Sequence, residues 1–258
     1  MDVGNKSTSN PAVVFVHGFL GFNEIRLPYK RVTYFRGVKN ALSDIGINCY
    51  FPRLPAGASI IERAKALAAF LEPIPEQKII LIAHSMGGLD SRYVISRLDP
   101  ARRICRLITI GTPHRGTALA EWTLKTPRLI NTLARWLGRP GLEDLRRDTC
   151  NRFNSAVPNR SDVEYSSYAA LRPINEIPIL FRRWAKIIAA EEGPDNDSQV
   201  SVESAKWGDF KGTLVADHLE LLGWNLNRRH KPQPFDHIQF YRNLVSSVAI
   251  RRGPAADT

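Results

Sequence analysis

Four short runs of apolar residues stand out in the first half of the chain, at residues 12–16, 47–51, 78–83 and 104–110. They are rich in β-branched side chains and nearly continuous in apolar character, without regular alternation with polar positions. That pattern is typical of strands that are covered on both faces, as in a parallel sheet. The pattern therefore predicts four strands of one parallel sheet.

Helix-like segments lie between these runs. Residues 60–72 place their isoleucine, alanine and leucine side chains on one stripe of a helix. Residues 86–98 and, more weakly, residues 35–45 show the same periodicity. Strands that alternate with helices predict an α/β fold, with a doubly wound, mostly parallel central sheet and helices on both faces.

The alternation stops in the second half of the chain. Residues 118–158 look helical throughout and carry many large apolar side chains. Two interpretations stay open: helices that simply pack on the core, or a helical cap whose apolar underside also meets the substrate. Residues 163–170 then predict a strand and 236–250 an amphipathic helix, whereas 187–190 fit either a last strand or the end of a helix.

A polar His-Ser pair ends the third apolar run, in the sequence KIILIAHSMGG at residues 78–88. A strand that turns sharply into a helix can hold the oxygen of Ser85 above the edge of the sheet. Such a turn brings the residues two before and two after the serine together, and here they are the small Ala83 and Gly87. The alternative is an ordinary junction with a capping serine. The flanking strand and helix favour a nucleophile at Ser85.

A serine nucleophile needs hydrogen-bond donors for the oxyanion that its attack creates. The first apolar run leads into His17 and Gly18, and Gly18 lets the backbone turn the next N–H inward. That N–H belongs to Phe19. The N–H of Met86 lies where the helix after the serine begins, at the positive end of the helix dipole. Phe19 and Met86 are therefore the predicted oxyanion donors.

A base must take the proton of the serine. In folds that carry this kind of serine turn, the order along the chain is nucleophile, acid and then base. His218 lies in the sequence LVADHLELL, a loop before an apolar helical start, and is the predicted base. His237, at the start of the last helix, is the reserve candidate. His114 comes too early and is interpreted as a polar loop residue near the rim of the site. His230 lies in a charged stretch and is interpreted as solvated.

A carboxylate has to hold the base in the correct tautomer and stabilise the imidazolium that forms. It is expected upstream of His218 on a loop after a strand, and residues 191–200 form such a loop. Asp195 and Asp197 are both available there, and the residues alone do not decide between them. The lesser candidates are Glu191, Glu192 and Asp217.

The overall composition limits the class of protein. The chain has 258 residues, 43% of them hydrophobic, which suits one large α/β domain or two small ones. No apolar run approaches the roughly 18 residues of a membrane span, so no transmembrane segment is expected. The first residues lack the features of a signal peptide, which makes a cytoplasmic location the default expectation.

Charge and cysteines add less. The formal net charge is +11, but arginines are spread over the whole chain and no nucleic-acid-binding module is recognisable. No nucleic-acid partner is expected, while a solvated basic surface and attraction to anionic lipid surfaces both stay open. Cys49, Cys105 and Cys150 have no CxxC spacing, which argues against a disulfide framework or a zinc site. Buried reduced thiols are expected, although one disulfide plus a free thiol stays open.

With these residues in view, the chain resembles the bacterial true lipases, the triacylglycerol lipase group of the α/β-hydrolase fold. The resemblance covers most of the chain and implies a single α/β-hydrolase domain over residues 1–258, with a helical cap or lid at about 118–158. It rests on seven motifs in order: HGFLGF at 17–22, YFRG at 34–37, AHSMGG at 83–88, GTPHRG at 111–116, CNRFN at 150–154, NDSQV at 196–200 and DHLE at 217–220.

The resemblance also assigns roles to residues. The acid of these lipases lies in an Asn-Asp-Gly-x-Val turn, which corresponds to residues 196–200 and implies Asp197, with Ser198 in place of the usual glycine. The base corresponds to His218, and the oxyanion donors to Phe19 and Met86.

Secreted members of the group bind a structural calcium near the histidine loop and carry a disulfide. Neither is expected here, because no second acidic ligand accompanies Glu220, Trp224 stands where a polar side chain would be needed, and the cysteines do not match the usual pair. No metal or cofactor is therefore predicted.

Together, residues and resemblance predict a serine carboxylester hydrolase, a lipase or esterase that forms an acyl-enzyme on Ser85. The expected partners are a lipid or small ester substrate, with transient contact at lipid interfaces. Two alternatives stay open: an acyltransferase or thioesterase with the same triad, and a non-catalytic binding protein of the same fold.

Overall fold

The computed structural model describes residues 10–21, 24–27, 30–126, 138–226 and 233–250. The middle of the predicted cap, residues 127–137, and the predicted solvated His230 lie outside the described residues. Within the described ranges, no helix is long and apolar enough to cross a membrane.

The centre of the fold is a six-stranded sheet in the order β4-β1-β5-β6-β7-β8, and every neighbouring pair is parallel. A separate antiparallel hairpin, β2 and β3, stands outside this sheet. The strand bounds are β1 Ala12–Val16, β2 Glu24–Leu27, β3 Lys30–Thr33, β4 Cys49–Tyr50, β5 Ile79–His84, β6 Ile104–Ile110, β7 Glu164–Leu171 and β8 Asp209–Val215.

Helices connect the strands of this sheet. A further helical stretch covers residues 138–144, a π-helical turn at Val94–Leu98 continues α3, and a 3₁₀ turn spans Glu220–Leu222. The helix bounds are α1 Val38–Ala41, α2 Ile60–Leu71, α3 Gly87–Tyr93, α4 Ala118–Lys125, α5 Arg147–Ala156, α6 Ile179–Glu192, α7 Val202–Ala205 and α8 His237–Ile250.

Both faces of the central strands are covered, as their continuous apolar sequences predicted. Successive side chains of a strand point to opposite faces of the sheet. Val13 packs in one apolar cluster with Tyr241 of α8, and Val14 packs in another with Leu67 of α2. All residues of β1 and β5 are buried. The predicted α/β fold with a mostly parallel sheet and helices on both faces is confirmed.

Several elements differ from the sequence-based prediction. The strand predicted at 47–51 is shorter in the structure, where β4 covers only Cys49–Tyr50. The helix predicted at 35–45 is likewise reduced to α1, Val38–Ala41. Residues 187–190 form the end of helix α6, so the acid loop follows a helix and the expectation of a preceding strand was wrong. The edge strand β8 was missed because DFKGTLV has polar and small residues among few apolar ones.

The order of the strands decides where a site can form. From β1 the chain first adds β4 on one side, and it then crosses to the other side of β1 to form β5. In open α/β sheets, ligands bind outside the carboxyl ends of the strands at such a reversal. Strand β1 ends directly before the HGF motif and β5 ends on the histidine of the HSM motif, so the topology brings these two motifs together.

Candidate active site

Ser85 lies in a strained turn directly after β5. Its φ is +55°, a left-handed conformation that is unusual for a residue with a side chain. The N–H of Ser85 donates to the carbonyl of Ile110 over 3.0 Å, and Thr112 Oγ1 donates to the carbonyl of Ser85 over 2.8 Å. The neighbouring strand β6 and the residues after it therefore hold the turn, and the side chain of Ser85 faces a cavity.

The small residue two positions after the serine also makes room for the end of β1. A Cβ at Gly87 would come within 2.7 Å of the Val16 carbonyl oxygen and 2.8 Å of the His17 carbonyl oxygen. A Cβ at Gly18 would lie 2.7 Å from the Cβ of Ser85. The turn at Ser85 and the loop at residues 17–21 can touch only because these two positions are glycine. This loop carries the predicted oxyanion donor Phe19 and is called the oxyanion loop below.

His218 and Asp197 form a buried hydrogen-bonded pair. The Nδ1 of His218 donates to Oδ2 of Asp197 over 2.7 Å, which leaves Nε2 as the proton acceptor of the imidazole. Asp197 Oδ1 accepts the N–H groups of Gln199 at 2.9 Å and Val200 at 2.8 Å. His218 lines the same cavity as Ser85. The structure thus brings the predicted acid, base and nucleophile to one place.

The other candidate acids lie elsewhere or have other partners. Asp195 is exposed to solvent. Glu191 forms an ion pair with Arg147. Glu192 accepts from the Ser201 hydroxyl and from the N–H of Ala118, and Asp217 accepts two backbone N–H groups of its own loop.

His237 and His114 bond to other groups. His237 begins α8, and its ring bonds to the carbonyl of Arg36 over 2.8 Å. The interpretation of His114 as a residue of the rim was wrong, because it is fully buried. Its ring stacks on Trp207 with centroids 5.0 Å apart, and its Nε2 lies 3.0 Å from Thr109 Oγ1.

Two backbone N–H groups are free to receive an oxyanion. Within the described part of the chain, the N–H groups of Phe19 and Met86 donate to no backbone or side-chain acceptor. Phe19 lines the cavity, and Met86 follows Ser85 directly. Free donors beside the nucleophile are what an oxyanion requires.

The model of the alpha/beta hydrolase family matches residues 13–244. The chain belongs to this family. Triacylglycerol lipase 2 of Saccharomyces cerevisiae is 32% identical over 244 residues, which cover 86% of this chain and 74% of the yeast protein. A triacylglycerol lipase of Pseudarthrobacter phenanthrenivorans is 32% identical over 170 residues, or 63% of this chain and 49% of that protein. The chain thus spans about half the length of this bacterial relative.

Solved structures support the fold. A mature lipase of Bacillus licheniformis superimposes with a TM-score of 0.71 at 22% identity, over 95% of this chain and 96% of that one. A metagenomic carboxyl esterase superimposes with a TM-score of 0.74 at 20% identity, over 94% of this chain and 76% of that one. Both share the α/β-hydrolase architecture with this chain.

In this α/β hydrolase, His17 holds the oxyanion loop. Its Nε2 accepts the N–H of Leu54 over 2.9 Å, so Nδ1 carries the proton and donates to the carbonyl of Gly18 over 3.0 Å. Burial and, secondarily, the charge of Arg63 lower the pKa of His17 from 6.5 to about 4. Since protonation would remove the acceptor for Leu54, the loop depends on a neutral His17.

Tyr34 joins this loop to the turn of the nucleophile, a link that the sequence analysis missed. The N–H of Gly18 donates to the Tyr34 hydroxyl over 3.1 Å, and the hydroxyl lies 2.8 Å from Nδ1 of His84. The ring of His84 lies 4.5 Å from that of His218, centroid to centroid. Burial and then the proximity of His218 hold the pKa of His84 well below its usual range, so a neutral ring faces the base. The only sequence signal was the YFRG motif.

Gly111 leaves space for the acid and the base, which gives the GTPHRG motif a physical role. Its φ is +58°, and a Cβ there would lie 3.2 Å from Oδ2 of Asp197 and 3.5 Å from Nδ1 of His218. A side chain at this position would press on the hydrogen bond between them.

The cavity above these residues is large and apolar. Its volume is about 590 Å³, and apart from the polar groups at Ser85 and His218 most of its wall is hydrocarbon. Helix α4, Leu142 and Leu145 form one side of the cavity. Leu142 and Leu145 also pack in one apolar cluster with Leu89 of α3. The described part of segment 118–158 therefore packs on the core and also lines the cavity.

Glu220 is the acidic residue that the resemblance places at the calcium position of secreted lipases. That carboxylate is buried and paired with Arg172. Across the described ranges, no cluster of three or more acidic, histidine or cysteine side chains could hold a metal ion.

His17 generates a prediction about acid stability. Between pH 6.5 and about 4 the folded state binds fewer protons than the unfolded state, so the free energy of unfolding falls on acidification across this window. A shift of this size corresponds to on the order of 3 kcal/mol. Urea unfolding from pH 7 to 4 should show a smaller pH slope for His17→Gln, which has no titrating ring, than for the native chain. Equal slopes would contradict this role of His17.

Ser198 generates a second prediction. Its φ is +84°, and its N–H bonds to Asn196 Oδ1 over 3.0 Å, a bond that any residue can make. Left-handed backbone costs a non-glycine residue roughly 1–2 kcal/mol. Ser198→Gly should therefore raise the free energy of unfolding by up to about 1 kcal/mol after the greater entropy of unfolded glycine is counted.

The matched control is Ser201→Gly in the same loop, where φ is −74° and the side chain caps α7. Chemical unfolding should find this variant less stable than the native chain. If Ser198→Gly is destabilised as much as Ser201→Gly, the strain at Ser198 is not real.

Proposed function

We propose that this chain hydrolyses lipid esters through a covalent acyl-enzyme on Ser85. The observation that carries the proposal is the buried 2.7 Å hydrogen bond between His218 and Asp197, in one cavity with a serine on a strained turn. At the coarser level the chain is a carboxylic ester hydrolase, because relatives named triacylglycerol lipase match it at 32% identity within the alpha/beta hydrolase family.

Acylation begins when Ser85 Oγ attacks the carbonyl carbon of the ester, while Nε2 of His218 takes the hydroxyl proton. The carbonyl oxygen becomes an oxyanion, which accepts hydrogen bonds from the N–H groups of Phe19 and Met86. When the C–O bond of the leaving group breaks, His218 gives its proton to the departing alcohol. Water then repeats the sequence on the acyl-enzyme and releases the carboxylic acid.

Asp197 acts through His218 in this scheme. It holds the tautomer with the proton on Nδ1 and stabilises the imidazolium after proton transfer. Its second oxygen accepts two backbone N–H groups, at Gln199 and Val200, which fix the orientation of the carboxylate.

The apolar cavity supports an acyl chain as the bound group. Phe19, Leu119, Leu145, Phe181 and Trp184 give it a wall that hydrocarbon can fill. Burying apolar chain against such a wall contributes about 0.8 kcal/mol per methylene. Affinity should thus rise with chain length until the cavity is full.

Exposed apolar side chains near the cavity support contact with a lipid surface. At the start of α6, Ile179 is 81% exposed and Leu180 63% exposed, while the next residue, Phe181, lines the cavity. Arg183 and Lys186 are exposed on the same helix. Apolar side chains beside cations suit an interface that carries anionic lipids.

Nucleophile and acid can be tested directly. Ser85→Ala should lose the covalent adduct with a fluorophosphonate probe and lower kcat/KM for a nitrophenyl ester by at least about 10³-fold. Asp197→Asn should lower kcat by roughly 10³- to 10⁴-fold, since the tautomer of His218 is no longer held. Mass spectrometry of the labelled chain and steady-state kinetics are the measurements.

Asp195→Asn is the control, because Asp195 is exposed two residues away, and it should keep near-native activity. A native chain that takes no label on Ser85 would favour a binding protein. Acyl transfer or acyl-CoA hydrolysis faster than ester hydrolysis would favour the transferase or thioesterase.

If the start of α6 contacts a lipid interface, a change there should affect the rate on emulsified substrates and not the rate on soluble ones. Leu180→Asp should lower the rate on an emulsified long-chain ester by roughly tenfold, because one large apolar side chain no longer enters the interface. The rate on a soluble short-chain nitrophenyl ester should not change, since Leu180 does not line the cavity.

Ile61→Asp is the control, as Ile61 is 45% exposed on α2 and also does not line the cavity. A chain-length series from acetate to palmitate, measured with both variants, separates a lipase from a short-chain esterase. Equal losses in both variants would refute a role for α6 at the interface.

A further inference from the structure

Arg172 directly follows strand β7, and its charged side chain is buried. Its guanidinium makes a forked ion pair with Glu220, from Nε to Oε2 at 2.9 Å and from Nη2 to Oε1 at 3.3 Å. Nη1 donates to Oε2 of Glu176 at 2.8 Å, and Nη2 also donates to the carbonyl of Gln233 at 2.6 Å. A planar fork fixes the direction as well as the distance of its partner, which an ammonium group does not.

Glu220 transmits this constraint to the loop that carries His218. Glu220 Oε2 accepts the N–H of Asp217 over 2.9 Å. Asp217 Oδ1 in turn accepts the N–H groups of Leu219 and Glu220, each over 3.0 Å. His218 lies between Asp217 and Leu219 in this ring of hydrogen bonds. The carboxylate that Arg172 holds therefore fixes the backbone on both sides of His218.

The main chain of Arg172 holds the loop of the acid. Its N–H donates over 3.2 Å to the carbonyl of Asn196, the residue before Asp197. The N–H of His218 donates over 2.9 Å to the carbonyl of Asp197. Arg172 thus contacts both loops. Its main chain bonds to the loop of Asp197, and its side chain bonds to Glu220 in the loop of His218.

We propose that Arg172 is a positioning residue that aligns the imidazole of His218 with Asp197 and Ser85 by cross-linking Glu220 to the end of β7. The inference rests on the proposed function, because it assigns Arg172 to the same triad. Arg172 does not line the cavity. Its removal should therefore slow the chemical step and leave substrate binding unchanged.

The test variant is Arg172→Lys, which keeps the positive charge but loses the fork. Since a misplacement of about 1 Å can cost 10²-fold in rate, kcat should fall roughly 10- to 100-fold. KM for a soluble short-chain ester should stay within about twofold of the native value. The rate at which a fluorophosphonate labels Ser85 should fall by the same factor as kcat. All assays are run well below the thermal midpoint of each variant.

Arg160→Lys is the matched control. Arg160 donates to the carboxylates of Asp99 and Asp162 and to the carbonyl of Ile95, near the amino ends of the strands and away from the site. The Arg160→Lys variant loses the same kind of forked guanidinium contact, and it should keep the native kcat and the native labelling rate.

Glu220→Gln is a second variant that breaks the same link from the other side, in case the lysine fits poorly. It should show the same fall in kcat at unchanged KM. EDTA should leave the kcat of the native chain unchanged, because Arg172 and not a divalent cation holds Glu220.

The role of Arg172 would be overturned by native kcat in both Arg172→Lys and Glu220→Gln, by an equal loss in Arg160→Lys, or by a loss that only follows the fraction of unfolded chain. Loss of native activity in EDTA that calcium restores would overturn it too. These results are distinct from failure of the proposed function, in which the native chain itself would take no label on Ser85.

Discussion

The close approach of two main chains at the ends of β1 and β5 is the constraint on which the site depends. The parallel register pairs Val16 with Ala83, so Gly18 lies level with Ser85 two residues further on. A side chain at Gly18 or Gly87 would collide with the opposite segment. Because neither has one, the nucleophile and the loop of the first oxyanion donor lie in contact. The strained φ of Ser85 is maintained by this packing and by the bonds to β6, as an unfavourable backbone conformation requires.

A second constraint is the burial of polar groups at the same edge of the sheet. Arg63 is fully buried, pairs with Asp90 and donates to the carbonyl of His17 over 2.7 Å. Burial raises the pKa of Asp90 to about 6 despite the charge of Arg63. Buried ion pairs of this kind add little net stability, because desolvation offsets the attraction. What they supply is geometry: Arg63 fixes the oxyanion loop as Arg172 fixes the loops of the acid and the base.

The fold was predictable from sequence where local pattern and burial agree. The runs that became β1, β5 and β6 are apolar because both faces of these central strands are covered, and α2 has a clear apolar stripe. The prediction failed at the edges. Strand β8 pairs with β7 along one side only, so its sequence carries no continuous apolar run, and the length of β4 depends on pairing with β1 alone. Such elements are determined by tertiary contacts, which a single sequence does not display.

The same distinction separates the residues of the site. Ser85, Phe19 and Met86 lie in the backbone that follows a strand end, so short local motifs were enough to single them out as candidates. Asp197 and His218 lie on loops that follow α6 and β8 and meet only through hydrogen bonds between distant segments. Residue types left Asp195 and Asp197 equivalent, and only the resemblance to lipases separated them. Arg172 was not singled out because its proposed role depends on its contacts with Asn196 and Glu220, which lie 24 and 48 positions away. A residue that acts by connecting loops has no local signature.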